Sequence, residues 1–146
     1  MKRTTLLHQD LSTAVAGMGH TDALALVDAG YSVPLEVDRI DLAVRPGVPT
    51  LVEVLEALLT ELIVDSYVVA EEMTDANPAL LASVEAALPG IPCRRIPQMQ
   101  FKDAVRQAKA VVRTGEYSPF GNVLLVGGVT PEFLRSAPRE VGRTVT

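Results

Sequence analysis

Two histidines occur among the 146 residues, His8 and His20, and the second stands in MGHTDALALVDAG (18–30). A glycine and an aspartate flank it, and an apolar run leads from it to a second aspartate, Asp28. Imidazole is the side chain that gives or takes a proton near neutrality, and a carboxylate accepts hydrogen bonds from hydroxyls. Together they suit general acid–base chemistry on a polyhydroxylated substrate. His20 is expected just past the end of a helix, whose free carbonyls favour a cation; it either donates a proton from there or caps the helix. Asp28 follows an apolar run and precedes AGYSVP (29–34). That is where open α/β sheets bind ligands, and equally where an Asx turn or helix cap would be found.

Further along, RTGEYSPFGNVLLVGG (113–128) sets Phe120, Gly121 and Asn122 before a buried strand. Asn122 offers a donor and an acceptor, and Phe120 an apolar face, which suits a sugar ring; an ordinary turn is the plainer reading. Asp22, in HTD, is an alternative to Asp28 as the acid that matters, and more simply a turn residue. Glu71 and Glu72 at a strand end point to opposite faces and cannot act as a dyad. GMGHTDA follows a helix and opens a strand, the reverse of a dinucleotide-binding loop. His8, His20 and Cys93 lack metal-ligand spacing, and with a single cysteine and no GxSxG there is neither an internal disulfide nor a nucleophile elbow.

The elements that must position these residues follow from hydrophobic spacing. A helix is expected from an Asp10 N-cap through Met18, with Gly19 closing it. A second begins at Thr50, whose partner Glu53 completes a capping box. A third begins at Asn77 with Pro78 at its first position, and a fourth covers about Met99 to Arg113. Apolar runs at 23–27, 39–44, 63–70, 93–97 and 122–128 read as strands. Those at 23–27 and 122–126 are continuous rather than alternating, as in strands covered on both faces. The expected fold is α/β, three layers α/β/α around a largely parallel sheet. Residues 1–130 form one domain and 131–146 a C-terminal extension.

The chain carries 13 basic and 18 acidic residues, net −5, which argues against nucleic acid or an anionic membrane as partner. No stretch is apolar enough for a membrane span and no signal peptide is legible, so a cytoplasmic protein is expected. Apolar residues make up 48%, and mean hydropathy is +0.25. That is more than a small interior hides, which predicts a homo-oligomer. A five-residue strand over 23–27 spans on the order of 16 Å. His20 and Asp28 at its two ends therefore meet one sugar only if the turn folds back or two subunits share the site.

Taken in order, GHTDALALVDAG, RIDLAVRPGVPTLVEVL, AEEMTDANP, QFKDAVRQAKAVVRTGE and NVLLVGGVT resemble the D-ribose pyranase and L-fucose mutarotase family, RbsD/FucU, over Met1 to Thr130. The resemblance implies an RbsD-like α/β/α enzyme without cofactor, built from dimers into a ring, a decamer, with sites at subunit interfaces. It implies exchange of sugar ring forms and anomers, with His20 as proton donor and Asp28 as substrate ligand. Gln98, Phe120, Gly121 and Asn122 are placed around the sugar. Gln98 stands where the ribose branch has histidine and the fucose branch arginine, and Phe120 where both have tyrosine. Gly121 resembles the fucose branch; DAG, RIDLAV and AEE…NP resemble the ribose branch. The expected function is a D-ribose pyranase-like isomerase; an L-fucose or other aldose mutarotase, or a non-catalytic sugar-binding accessory of a transport system, are the alternatives.

Overall fold

The computed structural model describes residues 1–136. Six strands form one sheet: β1 (Ala23–Val27), β2 (Asp38–Asp41), β3 (Val64–Ala70), β4 (Cys93–Ile96), β5 (Ala110–Arg113) and β6 (Val123–Gly127), in the order β2-β5-β1-β6-β3-β4. β1 and β2 pair parallel with β5, and β4 parallel with β3. β6 runs antiparallel between β1 and β3, so five strands point one way and one is reversed. The fold is α/β, as the apolar runs imply.

Both faces are covered. Leu24 and Leu26 of β1 point into the larger core beneath α1 (Gln9–Ala16), α2 (Leu51–Leu59) and α4 (Pro78–Ala87). Ala25 and Val27 point the other way, against Phe101 and Val105 of α5 (Gln98–Val105). Every residue from Leu24 to Val27 is fully buried, which is why ALALV shows no polar alternation.

The capping box at α2 is present: Glu53 N–H donates to Thr50 Oγ1 at 3.1 Å and Thr50 N–H to Glu53 Oε2 at 2.8 Å. Other boundaries differ. α1 ends at Ala16, with Gly17 rather than Gly19 at its C-cap, and its N-cap is His8, whose Nδ1 accepts from Leu11 N–H. The helix expected over 99–113 ends at Val105, and its last third is strand β5. Ala110, Val111 and Val112 are buried between β2 and β1, and burial on two faces gives the same apolar run that a helix face would. A short helix, α3 (Met73–Ala76), follows β3 and lies outside the expected set. α6 (Pro131–Arg135), capped by Thr130 Oγ1, opens the C-terminal segment; residues 137–146 of the expected extension lie outside the described residues. Among the described residues no helix is long and apolar enough to cross a membrane.

Candidate active site

The strand directions send the candidate residues to opposite ends of the sheet. Asp28, Gln98, Phe120, Gly121 and Asn122 all flank strands at the end where the five parallel strands finish and β6 begins. His20 lies at the other end, where β1 starts and β6 stops.

At the first end, the segment RTGE holds the turn that carries Asp28. Thr114, fully buried, donates from Oγ1 to Val27 O at 2.9 Å and accepts from Glu116 N–H at 3.1 Å. Arg113 Nε donates to Ala29 O, and Ala29 N–H to Glu116 O, both at 2.9 Å. Gly115 lies so close to Val48 that a Cβ would come within 2.5 Å of that residue's backbone. Asp28 does form the Asx turn weighed above: Oδ1 accepts from Gly30 N–H at 2.9 Å. The carboxyl is raised above its ordinary value, chiefly by burial. The Gly30 N–H and the Asn122 amide draw it down, and the Glu116 charge adds to the rise.

Asn122 is 1% exposed, and its Oδ1 accepts from Asp28 N–H at 3.0 Å. It braces the end of β1 against the start of β6, a structural role that spacing alone did not disclose. Phe120 adopts a left-handed backbone, φ 54°, which costs a bulky residue energy and is found at sites the surroundings over-determine. Gln98 begins α5. Its backbone N–H is held by both carboxylate oxygens of Glu72, at 3.0 and 3.2 Å, while its Oε1 is buried without a hydrogen-bond partner. A buried orphan acceptor is a place for a ligand or water donor. The Tyr31 hydroxyl is likewise buried and unpartnered; burial, with Asp28 nearby, pushes it up to about 12.

At the opposite end, His20 is exposed in a tight turn. Asp22 Oδ2 accepts from Gly19 N–H at 2.8 Å, Thr21 takes φ 70°, and Gly127 exchanges hydrogen bonds with Thr21 and Asp22. Of the carbonyls ending α1, those of Thr13, Ala14 and Val15 are bonded by Gly17 and Met18 N–H groups, and His20 makes no hydrogen bond to the helix among the described residues. His20 is therefore not a side-chain cap of α1. It is an exposed imidazole on a hydrogen-bonded turn, on the order of 16 Å along β1 from Asp28 and at the other end of the sheet. The turn does not fold back.

Three residues take positioning roles that the sequence does not assign to them. Glu72, one of two strand-end carboxylates of which one is expected to face the site and the other to be solvated, anchors Gln98. Asn77 reads as a helix cap, yet its side chain makes no cap hydrogen bond and donates instead to Ser118 Oγ and Pro119 O. Glu116 lines a 210 Å³ cleft with Asp28, Gly30, Tyr117, Ser118 and Pro119. Among the described residues no group of three or more His, Cys, Asp or Glu could hold a metal.

Residues 1–130 match the model of the RbsD / FucU transport protein family. The chain is 47% identical over 130 residues to a D-ribose pyranase of Symbiobacterium thermophilum, covering 89% of this chain and 99% of that one. To a D-ribose pyranase of Geobacillus kaustophilus it is 42% identical, covering 89% and 96%. Its structure is similar to that of Bacillus subtilis RbsD complexed with D-ribose, with a TM-score of 0.86, 33% identity and coverage of 89% and 99%. It shares its fold with the fucose mutarotase of Streptococcus pneumoniae, solved with L-fucose, at a TM-score of 0.78, 22% identity and coverage of 89% and 99%.

Proposed function

The chain belongs to the RbsD / FucU transport protein family, and on that premise we propose that it is an isomerase exchanging the ring forms and anomers of a monosaccharide, with D-ribose as substrate. The observation that carries this reading is the identity of 42–47% to D-ribose pyranases over nearly their whole length.

Opening the ring breaks the bond between the anomeric carbon and the ring oxygen and forms a carbonyl. The ring oxygen gains a proton and the anomeric hydroxyl loses one. In the proposed mechanism His20 donates to the ring oxygen, the anomeric proton passes to water, and Asp28 holds hydroxyls through the carboxylate oxygen not used in its Asx turn. Gln98 Oε1 accepts a further hydroxyl, and Phe120 covers an apolar face of the sugar. Reclosure through the same oxygen gives the other anomer, and through a different hydroxyl it gives a furanose. Acid–base assistance of about 10²–10⁴-fold accounts for the activity.

Because His20 and Asp28 lie at opposite ends of β1, the site is proposed to join the His20 end of one copy to the Asp28 end of another. Exposed apolar residues support such a contact at both ends. Val44, Met99 and Tyr117 are 77%, 72% and 76% exposed around the Asp28 end, and Phe133 and Leu134 are 66% and 72% exposed just past β6, at the His20 end. A head-to-tail contact closes into a ring when the rotation between copies permits it, which is the arrangement in keeping with the decamer that the family resemblance implies. NMR exchange spectroscopy on D-ribose tests the function: wild type accelerates pyranose–furanose exchange and His20→Ala does not. Equal rates in the two would leave a sugar-binding accessory as the better account.

A further inference from the structure

We infer that Glu116 is a second carboxylate ligand of the substrate, accepting a hydroxyl of the monosaccharide in the cleft that it shares with Asp28. This rests on the sugar-site reading above and adds a residue to it.

The first support is a hydrogen-bond chain of fixed polarity. Asn77 Nδ2 donates to Ser118 Oγ at 2.7 Å, and Ser118 Oγ donates to Glu116 Oε1 at 2.6 Å. Tyr117 N–H gives Oε1 a second donor at 3.2 Å. The amide NH2 can only donate and the carboxylate can only accept, so the chain fixes Ser118 Oγ as a donor to Oε1; with Tyr117 N–H that oxygen has two donors, which hold the side chain in place. Oε2 receives no donor among the described residues, and Glu116 lines the 210 Å³ cleft beside Asp28.

The second support is that, among the described residues, no cation answers the pair. The nearest guanidinium in the segment, that of Arg113, is committed to Ala29 O and to both oxygens of Asp41. Two half-buried carboxylates in one cleft repel an anion, and too few ligands are present to hold a metal. A neutral polyol gives each carboxylate a donor without bringing charge, which is the chemistry of a sugar.

Gly121 supplies a third, independent observation. A Cβ there would lie 2.7 Å from Glu116 Cγ and 3.2 Å from Leu80 Cδ2. The bare glycine leaves the space in which the Glu116 side chain lies, so the contribution of Gly121 to the site is made through Glu116.

The test compares wild type, Glu116→Gln and Glu116→Asp on D-ribose by exchange NMR, with thermal melting as the check on folding. Gln keeps the contacts of Oε1 and removes the charge; Asp keeps the charge and withdraws it by one methylene. Both variants are expected to melt like wild type and to raise KM by roughly tenfold or more, as the loss of a hydrogen bond to a charged group does, with kcat changed less. Wild-type KM in both variants overturns the assignment. If Glu116→Gln does not fold, Glu116→Asp alone decides on the same criterion. A wild type that leaves ribose exchange at its uncatalysed rate overturns the isomerase reading instead. Calorimetric titration of D-ribose into wild type and Glu116→Gln then decides Glu116 separately: weaker binding by the variant supports it, and equal binding, or no binding by wild type, overturns it.

Discussion

His20 makes no hydrogen bond among the described residues and stands exposed on its turn, so removing its ring should leave the fold intact. His20→Ala is expected to lower the exchange rate by about 10²–10⁴-fold with an unchanged melting temperature; a parallel fall in stability would mean that the ring is structural. Asp28 makes the opposite trade. Burial raises its carboxyl above the ordinary range, with the Glu116 charge adding to this. A carboxyl raised on folding favours the fold while protonated; that contribution is complete below the unfolded value, about 3.9, and is lost as pH rises through the folded one. Ionised Asp28 therefore opposes folding at neutral pH. Asp28→Asn, which can still accept from Gly30 N–H, is expected to melt no lower than wild type at pH 7 while losing ribose binding. In melts taken against pH, the difference between the two proteins should close as the solution is acidified below pH ~4. Phe120→Tyr restores the phenol that the family resemblance places there; tighter ribose binding by about 0.5–1.5 kcal/mol is expected, read from KM.

The two ends of β1 depend on elements that hold turns rather than on the strand itself. Gly127 of β6 is tied to the His20 turn so closely that a Cβ would sit 2.8 Å from Gly19 O. Gly127→Ala must push that backbone away. With His20 present and merely displaced, exchange should fall, and stability should drop by about 1–3 kcal/mol in denaturant unfolding; wild-type exchange would show that the turn position is immaterial. Much at this scale was legible: the capping box at Thr50, proline at the start of α4, and the buried strands at 23–27 and 123–127 are local signals. β5 was not, because AVVR buried on both faces carries no period and adjoins the helical pattern of α5. Neither was the use of Asn77 and Glu72, whose partners Ser118 and Gln98 lie 41 and 26 residues away. Sequence gives a side chain's local options but not which distant group competes for it. The candidate residues were proposed from type, turn context and family resemblance, Gln98 from the resemblance alone; that Asn122 is a buried brace was not legible.

For the molecule as a whole, sheet direction decides what one chain can do. Five parallel strands and a reversed β6 gather Asp28, Gln98, Phe120, Gly121 and Asn122 at one end and leave His20 at the other, with exposed apolar side chains at both. The strand spacing already placed the two ends of 23–27 on the order of 16 Å apart, and the structure adds that the turn carrying His20 is tied by hydrogen bonds to Gly127, at the far end from Asp28. The proposal that the site is shared between copies makes a mixing experiment decisive. His20→Ala and Asp28→Asn are each expected to be inactive in ribose exchange. Co-assembled in equal amounts, they place an intact His20 end against an intact Asp28 end in about a quarter of head-to-tail contacts. Recovery of about that fraction of wild-type exchange is the result predicted; a mixture as inactive as its components, with hybrid oligomers demonstrated, would contradict a site built from two subunits.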